Sequence, residues 1–209
     1  MDAIHELILR ALESARRGKR YRLMRGLAAV LTADLTASTE TPGRRRTQAK
    51  VSYELHMADY QQAVVANGKR KNSLLLRSWH YAEQSACEAE MAGDAAGALF
   101  AEMNISGLIL PALDRWREAL EKSSATSERA EALAAAPDTT DEDRKRALLV
   151  AVNCYFHRGR IIVAQKRDRT ELARLREKIE TNPVYQEEAF KNDPNVKADI
   201  ASFDVYVNR

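Results

Sequence analysis

The chain has 209 residues, of which 45% are apolar, 30% charged and only 6% aromatic. Eight Gly and five Pro exclude a collagenous or low-complexity chain, and 33 Lys and Arg stand against 30 Asp and Glu, a mixed balance unlike that of a disordered chain. So few turn residues also disfavour an all-β sandwich, and the expected fold class is all-α, with about eight helices in antiparallel hairpins.

The net charge of +3 is unevenly spread: residues 1–80 carry +8 and residues 81–209 carry −5. The basic part suits a polyanion, or the acidic part of the same chain or of a second copy, so a homo-oligomer is one expectation. The longest charge-free runs, such as Met103 to Leu113 and Ala147 to Phe156, fall short of the roughly 20 apolar residues of a membrane span. Asp2, Glu6 and Glu13 fit neither a secretory signal nor a transit peptide, so no membrane partner and a cytoplasmic location are expected. Two cysteines, Cys87 and Cys154, read as core thiols.

In chain order, Ile4, Leu7, Ile8, Ala11, Leu12 and Ala15 predict a first amphipathic helix, capped by Asp2 and ending near Gly18. Met24, Leu27, Ala28, Leu31 and Leu35 continue the period as either the same helix or the second arm of a hairpin. Thr36 to Arg46, with Pro42 and Gly43, reads as a mobile loop. A third helix is expected from Thr47 to Ala66, and a fourth from Asn72 or Ser73 to Gly93. Asp94 caps a fifth helix that reaches Pro111. The sixth carries Leu113, Trp116 and Leu120, and its polar stretch Glu121 to Glu128 predicts fraying before Pro137. Thr139 and Thr140 cap a seventh helix running to about Lys166, and Asp168 with Glu171 caps an eighth that Asn182 and Pro183 close. In the tail, Phe203, Val205 and Val207 alternate with period two, as in a strand or an irregular packed segment.

Ala82, Ala86, Ala89, Gly93, Asp94 and Ala98 resemble the first helix and turn of a tetratricopeptide-type hairpin, and Gly107, Leu110, Leu113, Trp116 and Ala119 resemble it again. The resemblance spans roughly residues 75–135 and implies either a short helical solenoid or, failing register, a bundle. Ala98 and Ala119 are 21 positions apart against a standard repeat of about 34, so only one of the two matches can be in register. The domain expectation is one helical domain over 1–182, with basic helices over 1–68, tetratricopeptide-like hairpins over 72–182 and an irregular tail over 183–209.

No phosphate loop, dinucleotide fingerprint, His-Glu-x-x-His or Gly-x-Ser-x-Gly occurs, so neither a catalytic residue nor a cofactor is expected. Cys154 and His157 lie at i, i+3, but His80 and Cys87 at i, i+7 stand about 10 Å apart, too far for one tetrahedral zinc. The leading expectation is a non-catalytic interaction module binding a peptide or protein, with Trp79, Tyr81, Arg115, Trp116 and Arg117 as anchors. The rival is a nucleic-acid-binding protein that uses Arg16, Arg17, Lys19 and Arg20, the triplet Arg44, Arg45 and Arg46, and the triplet Lys69, Arg70 and Lys71. Both triplets are expected in loops, about 30 Å apart at opposite ends of the third helix.

Overall fold

A computed structural model describes residues 3–166 and 168–208. The fold is all-α, a helical bundle with no strand among the described residues. Asp2, the expected first cap, lies outside the described residues. The chain divides into two compact units, residues 1–113 and 114–209.

The first unit contains α1 (Ala3–Arg17), α2 (Tyr21–Ala37), α3 (Pro42–Val64), α4 (Gly68–Met91) and α5 (Ala95–Ala112). Helices α1 and α2 form a hairpin, and Lys19 takes the left-handed turn position with φ 56°. Leu12 and Ala15 of α1 meet Met24, Ala28, Leu31 and Leu35 of α2 over Val51 and Ala58 of α3. Only part of the expected α1 face is buried, since Ile4 and Leu7 stay 64% and 68% exposed.

Much of the expected 36–46 loop is helical, because Thr41 accepts the Arg44 N–H as N-cap and Pro42 sits in the first turn, where its missing N–H costs nothing. Helix α4 likewise starts at Gly68, which takes φ 53°, so both basic triplets lie within the opening residues of helices rather than in loops. At the α4–α5 turn Gly93 takes φ 72° and the Asp94 carboxylate accepts the Gly97 N–H. Helix α5 loosens into a π segment over Ile105–Ile109, where the Leu110 N–H reaches the Ile105 carbonyl, just before Pro111 withholds its own donor.

The second unit contains α6 (Trp116–Ala135), α7 (Asp141–Ala164), α8 (Arg169–Thr181), the single turn α9 (Glu188–Lys191) and α10 (Pro194–Val207). Helix α6 runs unbroken through its polar stretch, because the small side chains of Ser123, Thr126 and Ser127 are buried and the Ser123 hydroxyl donates to the Cys154 carbonyl of α7. The tail is helical, not a strand or an irregular segment: Asp193 accepts the Asn195 and Val196 N–H groups and Pro194 occupies the first turn. Phe203 of α10 then packs on Phe156, whose ring also meets Tyr185 and Phe190. The Phe203 ring lies so close to Gly159 of α7 that a Cβ there would come within 2.5 Å of it.

Helices α5 and α7 are long and apolar enough to span a bilayer by length and composition alone, which the charge-free runs did not suggest. More than half of each apolar window (56% and 61%) is buried within the protein, as in a core helix.

Candidate interaction surfaces

The expected anchors divide between the two units. Trp79 and Tyr81 are half-buried on α4, and the Trp79 indole donates to Glu83 on its own helix. Arg115 and Trp116 open α6, where Arg115 pairs with Glu118 and the exposed Arg117 with Glu121. Each arginine is therefore matched one turn along its own helix, the ordinary pattern of a solvated face.

Much of the basic first part is committed inside its own unit. Arg16 is largely buried against Glu54 at 2.5 Å, Arg17 pairs with Glu13, and Arg45 pairs with Glu40 and Glu88. The Arg44 guanidinium donates to the Ser38 carbonyl, and Arg46 is exposed. Thr32, Thr36, Glu40, Arg44, Arg45, Gln48, Gln84 and Glu88 line a polar cavity of about 270 Å³. Its two arginines are balanced by Glu40 and Glu88, both paired with Arg45, so the lining carries no net charge.

The fully buried Asp59 carboxylate links three helices. It pairs with Arg25 of α2 and accepts two hydrogen bonds of 3.1 Å from Arg77 of α4. Because α2 and α4 both run antiparallel to α3, this clamp sets the α1–α2 turn and the α3–α4 turn at the same end of the unit. Lys19, Arg20 and Arg22 thereby share an end with Lys69, Arg70 and Lys71, while Arg44 to Arg46 lie at the other. The sequence separated the two triplets correctly, but gave no sign that the first cluster joins the last.

A shallow groove of about 540 Å³ follows α4 along Lys69, Asn72, Ser73, Leu76, Arg77 and His80. These residues recur at three- and four-residue steps, so they share the face opposite Leu74, Leu75 and Ser78.

Sequence reasoning missed a second surface altogether. Leu23, Gly26, Val30, Ala33 and Ala37 follow a 3-4-3-4 spacing on α2 and every one is exposed, Leu23 by 52% and Val30 by 64%. A Cβ added at Gly26 would meet nothing within 4 Å. The heptad spacing was legible, but it lay beside the stronger Met24, Ala28, Leu31, Leu35 period that fills the core.

Two histidines are buried. The His56 Nδ1–H donates to Ser78, whose hydroxyl donates back to the His56 carbonyl, while its Nε2 has no hydrogen-bond partner. Burial holds its pKa down to about 4, against the hydrogen bond it donates to the Ser78 carbonyl and with the Arg16 charge in support. Burial, reinforced by Arg160, holds His157 down to about 3. No group of three or more metal-binding side chains occurs among the described residues, and His80 with Cys87 lies in the first unit while Cys154 with His157 lies in the second. No family model, curated protein or solved structure matches the chain.

Proposed function

We propose that this chain is a non-catalytic helical interaction module that engages a helix of a protein partner along the outer seam of α2. The carrying observation is the unoccupied heptad spacing of Leu23, Gly26, Val30, Ala33 and Ala37. Apolar residues at alternating three- and four-residue steps are what a second helix needs for side chains to interlock, and Gly and Ala at three of the five positions let the two backbones come close. The tetratricopeptide-like reading of the α4–α5 hairpin and a cytoplasmic location belong to the same proposal. The α2 seam replaces the dispersed Trp79, Tyr81, Arg115, Trp116 and Arg117 as the surface to test.

The test measures association of the purified full chain by light scattering and by co-purification from its native cells. Val30→Asp should abolish association and leave the helical circular dichroism signal intact, since this side chain is 64% exposed. A variant that keeps its partner, or a wild-type chain that is monomeric and captures nothing, contradicts the reading.

A further inference from the structure

We propose that the end of the first unit formed by the α1–α2 and α3–α4 turns docks on a membrane surface carrying anionic phospholipid headgroups. No carboxylate occurs between Glu13 and Asp34 or between Asp59 and Glu83, the two stretches that meet at this end. Of their basic residues, Arg16, Arg17, Arg25 and Arg77 pair with Glu54, Glu13 and Asp59, and Lys19, Arg20 and Arg22 from the first stretch and Lys69, Arg70 and Lys71 from the second make the cationic end. Asp59, which ties them together, is fully buried between Arg25 and Arg77 and shows no charge to the outside. Lys19, Arg20, Arg22, Lys69 and Arg70 are exposed, so these two turns offer an incoming surface a strong excess of positive charge.

Apolar side chains stand at the same end. Val64 and Val65, at the close of α3, are 64% and 83% exposed and directly precede the turn into Lys69, Arg70 and Lys71. The α4 groove repeats the combination, with Leu76, 57% exposed, between Lys69 and Arg77. A nucleic-acid backbone would use the cations and find nothing for the valines, Lys69 to Lys71 hold no aromatic ring, and Tyr21, between Arg20 and Arg22, packs against the core cluster of Leu12 and Met24 instead of standing free for a base to stack on. An anionic bilayer uses both: the cations meet headgroup phosphates while short aliphatic side chains enter the headgroup boundary. The first helix, whose Glu6 and Glu13 oppose such contact, takes no part beyond its last turn. This surface is distinct from the α2 seam, and either can fail without the other.

Flotation of the full chain with vesicles of phosphatidylcholine, alone or with phosphatidylserine, tests the proposal. Binding is expected only where phosphatidylserine is present and should weaken as salt is raised. Lys69→Ala and Arg70→Ala should each weaken it about five-fold, and Val64→Asp with Val65→Asp about ten-fold or more, while Arg46→Ala at the opposite end leaves it unchanged. Should the double valine variant lose helical signal, Val65→Ser serves in its place with a smaller loss in the same direction. Equal binding to both vesicles, binding to neither, or wild-type binding by the valine variant overturns the proposal. Retention of a labelled DNA duplex without vesicle binding also overturns it, and assigns these cations to nucleic acid.

Discussion

Two helical glycines show how differently the two units treat their outer faces. At Gly159 of α7 the missing side chain is the space that Phe203 fills, and α10 lies over it. At Gly26 of α2 the missing side chain opens onto nothing within 4 Å, in a row of exposed apolar and small residues. The second unit covers its apolar helix faces with its own C-terminal helix. The first leaves apolar side chains exposed on α1 and along α2, and the interaction surface is placed on α2, where all five positions of the row are apolar or glycine.

Breaking the covered case should have the largest effect. Phe203→Ala removes the fully buried ring that joins α10 to Phe156 and Gly159 of α7, and should destabilise the protein by about 3–5 kcal/mol in denaturant unfolding. The outward ion pairs of α10, from Arg160 to Asp199 and from Arg176 to Asp204, are partly exposed and should not hold the helix in its absence.

Acid comes next. Both buried histidines have folded pKa values below the ordinary 6.5, so beneath that pH the unfolded chain binds protons that the folded chain refuses. Stability should therefore fall as pH drops from about 6.5 toward 4, by about 1.4 kcal/mol per pH unit for each histidine. Thermal unfolding midpoints at pH 7.5 and pH 5 check the direction, and a midpoint unchanged between them would contradict the burial of both rings.

The glycine comparison itself sharpens with one methyl group at each site. Gly159→Ala should cost about 1–3 kcal/mol, because the new Cβ meets the Phe203 ring at 2.5 Å. Gly26→Ala should instead stabilise the chain by about 0.5–1 kcal/mol, the ordinary gain in helix propensity where nothing is obstructed. Opposite signs for one chemical change are the signature of a filled and an unfilled surface.

The sequence made the helices legible wherever a single core face dominates. Met24, Ala28, Leu31 and Leu35 were readable because their period is uninterrupted, and the Thr140 and Asp168 caps because each stands just before a periodic run. Two helix starts were misread for one shared reason: in Thr41-Pro42 and in Asp193-Pro194 the proline looked like a break, although a capping side chain before it makes it a first-turn residue. The polar middle of α6 was misread because Ser123 is satisfied by the Cys154 carbonyl of another helix, a partner that local sequence does not show. The candidate surfaces were less legible. The cationic end depends on Asp59 joining Arg25 to Arg77, contacts 34 and 18 residues apart in the chain. The α2 seam was written in the sequence, but only burial tells which of two interleaved apolar periods faces outward.

Site-specific photo-crosslinking in the native cells tests the α2 seam most directly, with a photoreactive side chain placed at Val30 or Ala33 and, as a control, at Arg46. The account predicts a discrete protein adduct from both seam positions, none from Arg46, and loss of the adduct when Leu23→Asp is added. No adduct from either seam position, or the same adduct from Arg46, would contradict it.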